Sequence, residues 1–271
     1  MRTSIILIGL VIVSYNLLAQ DPFEETSRRV AEGLKKSAKK GNARAQFGLG
    51  TFYRNGQGVP QSYTKAFFWL KKSAENGYEL AFGHLAHAYY NGRGVSKDLK
   101  EAFYWYKRAN DYGKMAWMYY RGEGVLKNYK KALYWARKGV AEKNGRAAFV
   151  LSRLYANGES VSKDEDKSQK WYKKSAEFGF DRAEFGLGTM YLLGKGVPRD
   201  PTKAYHWYDR SSTYPSSQYL LGSMYFNGVG VRQSKEKASY WIKKAYNSDD
   251  PETVKAAKEF WEKHELWKYV E

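Results

Sequence analysis

The stretch AQFGLGTFYRNGQGVPQSYTKAFFWLKKSAENG, residues 45–77, decides the fold, because its pattern returns along nearly the whole chain. Ala45, Leu49, Gly50 and Tyr53 fall at i, i+4, i+5 and i+8, one face of a first helix, with alanine and glycine where a neighbouring helix must come close. Gly56 and Gly58 predict the end of that helix and a turn, since glycine takes positive φ without a Cβ penalty. Ser62 is a good N-cap for a second helix, whose buried face Ala66, Trp69 and Ser73 line at i, i+3 and i+7. The stretch reads as a helix-turn-helix pair.

The same grammar recurs six times: a tyrosine, a glycine three residues on, and a tryptophan thirteen residues after that glycine. The anchors are Tyr53/Gly56/Trp69, Tyr89/Gly92/Trp105, Tyr119/Gly122/Trp135, Tyr155/Gly158/Trp171, Tyr191/Gly194/Trp207 and Tyr225/Gly228/Trp241. The N-cap position holds Ser62, Asp98, Asn128, Asp164, Asp200 and Ser234. Self-similarity at a period of 30 to 36 residues marks a repeat solenoid. The expected fold is all-α: one elongated array of repeated antiparallel helix pairs over residues 20–271, each pair packing on its neighbours, with no second globular domain. The six repeat tyrosines and six tryptophans are expected in the core.

The pattern Ala-x3-Leu-Gly-x2-Tyr-x2-Gly-x-Gly-Val followed by Lys-Ala-x2-Trp-x-Lys-Lys-Ala closely resembles the Sel-1-like repeat, a relative of the tetratricopeptide repeat. The resemblance implies a right-handed α/α superhelical solenoid. Six units, starting near residues 45, 81, 111, 147, 183 and 217, fill residues 45–246. Leu34 to Ala38 with Gly41 repeats the register of Leu70 to Ala74 with Gly77, so residues 20–44 read as a half repeat or N-terminal capping helix. Residues 247–271 read as a C-terminal capping helix. Fold alone does not fix function.

Residues 1–19 stand outside the array. Arg2 gives a basic start, Ile5 to Leu18 is almost wholly apolar, and Ala19 offers a small residue for cleavage, which together read as a secretory signal peptide. The expected destination is the periplasm or the exterior, with no stable membrane span after cleavage, because a span needs about 20 apolar residues. The chain has no cysteine, so neither a lipid-modified cysteine nor a disulfide is expected.

Departures from the pattern carry local information. The third unit follows the second after 30 residues, and Asn110-Asp111 joins the helices with almost no loop, a junction expected to bend or tighten the superhelix. Ser160 replaces the second glycine of the fourth tetrad, predicting a strained or rearranged turn. Tyr214-Pro215-Ser216 shortens the fifth-to-sixth junction.

Nothing in the sequence assembles catalytic machinery. A cysteine nucleophile and a Gly-x-Ser-x-Gly elbow are both missing, and Gly188 to Gly196 fails phosphate-loop spacing. His84 and His87, at i and i+3, have no carboxylate at matching spacing, so no metal and no cofactor is expected. Some relatives of the resembled family are β-lactamase-like hydrolases, but those are cysteine-rich.

Charge is the second global signal: 46 Lys and Arg against 28 Asp and Glu give +18, and losing Arg2 with the leader leaves +17. Much of it recurs just after each tryptophan, as Lys71-Lys72, Lys107-Arg108, Arg137-Lys138, Lys173-Lys174 and Lys243-Lys244. An acidic protein partner suits this balance through long-range attraction. Nucleic acid is disfavoured by export. Trp117 stands where other units have Thr51, His87, Arg153, Thr189 or Ser223, and Tyr90, Tyr120 and Phe226 directly follow the repeat tyrosine. First helices line the concave groove of such folds, and Trp, Tyr and Arg are enriched among binding hot spots. The candidate partner surface is therefore His87, Tyr90, Trp117, Tyr120, Arg121 and Arg153. The expected function is an exported, non-enzymatic module that binds a protein as adaptor, regulator or inhibitor. The resemblance includes immunity proteins that neutralise secreted phospholipase toxins. Binding of an anionic envelope polymer is the alternative.

Overall fold

The computed structural model describes residues 22–270, so the leader reading lies outside the described residues. Among these, fourteen α-helices and one 3-10 turn form, with no strand. In chain order they are α1 (Pro22–Lys39), α2 (Ala43–Asn55), α3 (Tyr63–Glu75), α4 (Glu79–Asn91), α5 (Leu99–Arg108), α6 (Tyr112–Arg121), α7 (Tyr129–Ala141) and α8 (Gly145–Asn157). Then follow α9 (Glu165–Glu177), α10 (Asp181–Leu193), α11 (Pro201–Arg210), α12 (Pro215–Asn227), α13 (Lys235–Tyr246) and α14 (Pro251–Lys263), before the 3-10 turn Leu266–Tyr269.

Local chemistry explains the boundaries. All six expected N-caps accept a hydrogen bond from a backbone N–H two or three residues on: Ser62, Asp98, Asn128, Asp164, Asp200 and Ser234. The N–H of each cap residue in turn donates to the carbonyl of its repeat tyrosine, from Ser62 to Tyr53 at 2.8 Å through Ser234 to Tyr225 at 3.0 Å. Each first helix is thereby locked to its second. The first tetrad glycine ends five of the first helices in the left-handed conformation, at Gly56, Gly92, Gly158, Gly194 and Gly228.

The second tetrad glycine is demanded by packing as well as by φ. A Cβ on Gly94 would stand 2.0 Å from the Tyr63 carbonyl oxygen, and one on Gly124 would stand 2.1 Å from that of Leu99. Gly58 meets the backbone of Ser27 in the same way, which puts α1 in the place of a second helix. Ser160 keeps the left-handed conformation, at φ 59°, that glycine would hold without strain. Ser160→Gly is expected to stabilise the chain by about 1 kcal/mol, measured by urea unfolding.

The chain groups into two compact units, divided at the shortened junction after Asp111. Unit 1 comprises the helices up to α5 plus Gly122–Leu126; unit 2 comprises α6 and Lys127 onward. In unit 1, consecutive helices α1 to α5 pack pairwise around Ala38, Leu49, Tyr53, Ala66, Leu85 and Ala86. In unit 2, α6 packs on α7 and α8, and the stack continues to α14, over Val150, Leu154, Leu187, Tyr208, Leu221 and Ile242. Leu266 of the 3-10 turn is fully buried, and its carbonyl accepts the Ser239 hydroxyl at 3.1 Å.

The tryptophans depart from expectation. Only Trp105 is buried; Trp69, Trp135, Trp171, Trp207 and Trp241 are half-buried. In four of the six repeats, that of the buried Trp105 included, the basic residue three positions later lies over the ring, on the same helix face. Arg108, Lys138, Arg210 and Lys244 lie 4.7–5.3 Å from the ring centres of Trp105, Trp135, Trp207 and Trp241. A cation and its aliphatic stem cover ring surface that the core leaves open. Part of the recurrent basic pattern is therefore packing chemistry. The repeat tyrosines divide likewise: Tyr53, Tyr89 and Tyr225 are buried, while Tyr119, Tyr155 and Tyr191 are half-buried.

Candidate functional site

The sequence-predicted surface residues fall into different environments. In unit 1, His87 is exposed on α4, and Tyr90 is half-buried, donating its hydroxyl to Glu123 Oε2 at 2.6 Å. In unit 2, Tyr120 is buried and accepts from Asn157 Nδ2 at 3.1 Å. Burial takes Tyr120 out of the candidate surface: it locks α6 to α8. Trp117 is half-buried against Phe149, with ring centres 6.1 Å apart, and the Arg121 guanidinium lies 5.8 Å from its ring. Arg153 is exposed on α8. It lines an opening that the sequence reading did not find.

That opening is a cleft of about 580 Å³ among α8, α9 and α10. Its cause is legible once the repeats are aligned on their tryptophans. Two residues before Trp69, Trp105, Trp135 and Trp207 stand Phe67, Phe103, Leu133 and Tyr205; before Trp171 stands Gln169, and before Trp241 stands Ser239, which is buried under the C-terminal 3-10 turn. Gln169 lines the cleft, and Ser168 beside it holds the position that Ala66, Ala102, Ala132, Ala204 and Ala238 hold elsewhere. The smaller, polar α9 leaves unfilled the volume that a bulky apolar side chain fills in those four units.

The cleft has an aromatic floor and a basic rim. Phe149, Tyr172, Phe185 and Tyr214 line it, with Phe149 and Tyr172 ring centres 6.0 Å apart and Phe185 and Tyr214 5.1 Å apart. Gly186 makes room for the tyrosine: a Cβ there would lie 1.8 Å from the Tyr172 hydroxyl oxygen. Burial pushes the Tyr172 hydroxyl above the usual tyrosine range, and Arg182 and Arg153 pull against it, so both guanidiniums act on this space. Arg153, Lys173 and Arg182 face one carboxylate, Glu165, and none of the three forms an ion pair with a described residue. Such a lining suits an apolar group that carries negative charge. Among the described residues no group of three His, Asp or Glu side chains could hold a metal, and no helix is long and apolar enough to cross a membrane.

A family profile for the Sel1 repeat matches residues 43–78, 80–113, 110–144, 145–179, 181–213 and 215–250. The chain belongs to the Sel1 repeat family, a protein-interaction fold. No curated protein matches it. Among solved structures, a protective antigen of uropathogenic Escherichia coli with an SLR fold is 30% identical, over 82% of this chain and 50% of that one, at a TM-score of 0.53. This chain thus spans about half the length of that antigen. A Sel1 repeat protein from Oxalobacter formigenes is 26% identical, over 89% of this chain and 83% of that one, at a TM-score of 0.50. An immunity protein from Pseudomonas aeruginosa is 20% identical, over 80% and 81%, at a TM-score of 0.46.

Proposed function

We propose that the chain is an exported, non-enzymatic binding module that holds a protein partner in the α8–α10 cleft, acting as an adaptor, regulator or inhibitor such as an immunity protein. The cleft carries this reading. It opens where one repeat departs from the filling residue of four others, and it is lined by aromatic rings and unpaired cations rather than by an acid-base pair. Desolvated aromatic and arginine side chains supply most of the energy of protein interfaces. The partner is a protein with an acidic surface, drawn in by the net positive charge.

Export is tested by fractionation and N-terminal sequencing of the native protein, which should place the mature N-terminus at Gln20 in the periplasmic or secreted fraction. Recovery of an uncleaved cytoplasmic chain would remove that half of the reading. For binding, the charge reversals Arg153→Glu and Arg182→Glu together should weaken capture of the partner more than a hundredfold without lowering the Tm, since both side chains are exposed. An unchanged affinity would place the contact elsewhere.

A second reading, binding to an anionic envelope polymer, draws on a shallow site of about 410 Å³ at the C-terminal end of unit 2, where Trp261, Trp267 and Tyr246 stand with Lys243 and Lys258. Co-sedimentation with anionic polysaccharide that salt abolishes would favour it over the cleft.

A further inference from the structure

We infer that unit 1 carries a binding site for a single oxyanion, a carboxylate or a phosphate, formed by Arg54, Arg93 and the imidazoles of His84 and His87.

Arg54 ends α2, and its Nη1 lies 2.7 Å from Nδ1 of His84 on α4. A guanidinium only donates, so Nδ1 must offer its lone pair, and the single proton of a neutral imidazole sits on Nε2. His84 packs against Phe47, with ring centres 5.2 Å apart. Burial first, and the Arg54 charge second, hold it below the usual histidine range. The imidazole is therefore neutral at pH 7 and adds no second positive charge beside Arg54. Arg93, from the second tetrad, reaches back over the Tyr63 ring at 5.8 Å. Neither arginine forms an ion pair with a described residue.

Both guanidiniums and both imidazoles line one pocket of about 160 Å³, closed on its other sides by Tyr63, Phe67 and Leu70 and lined by no carboxylate. Two like charges beside apolar walls raise the energy of the empty site, and an anion bridging them lowers it. Guanidinium forks match the oxygens of carboxylates and phosphates, and these contacts strengthen where water is partly excluded. The volume holds about five waters at roughly 30 Å³ each, enough for one carboxylate or tetrahedral oxyanion. The same features argue against a cation between His84 and His87: Arg54 occupies Nδ1 of His84, and both arginines repel positive charge.

The test follows the imidazole NMR signals of His84 and His87 in the full chain during separate titrations with acetate and inorganic phosphate, at constant pH and ionic strength. Saturable shifts of both histidines are expected, with affinity falling at least tenfold in Arg93→Gln and in Arg54→Gln. Saturation by acetate at the lower concentration would identify a side-chain or terminal carboxylate as the source; saturation by phosphate first would identify a phosphoryl group. Arg93 is exposed, so its variant keeps the test valid if Arg54→Gln fails to fold. Shifts that rise linearly with both anions, or that persist unchanged in Arg93→Gln, would overturn the site. The histidines lie in unit 1 and the aromatic cleft in unit 2, so this result and that of the cleft variants are read separately.

Discussion

Gly94→Ala is expected to destabilise the protein by about 3 kcal/mol, whereas Gly196→Ala, at the same place in another repeat, should cost only about 1 kcal/mol. Both glycines hold left-handed backbone, at φ 77° and 71°. That conformation costs an L-residue about 1 kcal/mol in either turn. They differ in what a methyl group would meet. At Gly94 it would drive into the Tyr63 backbone at 2.0 Å, while at Gly196 the nearest atom is the flexible end of Met190 at 3.4 Å. Backbone at the start of a helix cannot move without breaking its first turn, so overpacking adds about 2 kcal/mol at Gly94 alone. Urea unfolding of the two variants measures the difference. Equal losses would mean that the second glycine serves only the turn, and that repeats do not close on one another through it.

Arg210→Met should cost about 3 kcal/mol at neutral pH and progressively less as the solution is acidified. Arg210 Nη2 lies 2.9 Å from Oε1 of Glu184, whose side chain is 3% exposed while that of Arg210 is 46% exposed. The same nitrogen donates to the Ala176 carbonyl at 3.2 Å, so one guanidinium ties α9, α10 and α11 together. Removing it strands a buried carboxylate, the costly way to break such a pair. Burial raises the Glu184 pKa and Arg210 opposes the rise, so the variant raises it further. A group whose folded pKa lies above its unfolded value contributes stability that is fully present below the unfolded pKa and lost as pH rises through the folded one. The deficit of Arg210→Met is thus largest at pH 7 and shrinks toward the ordinary glutamate range. Adding Glu184→Gln should restore most of the loss at pH 7, because nothing charged remains buried. A pH-independent deficit would show that Arg210 acts through packing on Trp207 alone.

What the sequence made legible was local chemistry. The six N-caps, the left-handed glycines and the helix-pair register follow from side chains acting on backbone a few residues away, and such rules hold wherever the chain goes. Tyr90 and Tyr120 show where that reasoning stops. Both follow a repeat tyrosine directly, yet the partner of Tyr90 is Glu123 and that of Tyr120 is Asn157, 33 and 37 residues on. Whether an aromatic is presented or buried depended on the next repeat. The basic residue three positions after the tryptophan reads as solvated charge until the ring it covers in four repeats is considered. The cleft had one too. Gln169 is unremarkable alone and conspicuous only beside Phe67, Phe103, Leu133 and Tyr205, because the missing volume belongs to the comparison between repeats.

If the missing volume is the binding site, Gln169→Phe, which puts back the side chain of two other repeats, closes it. The mature chain and this variant would be used side by side to capture partners from the native envelope and secreted fractions, with calorimetry on any protein retained. The expected result is a partner that binds the wild type and loses at least a hundredfold in affinity for Gln169→Phe, while the variant's Tm stays the same or rises. A partner bound equally well by both, or a Tm that falls with the binding, would contradict it.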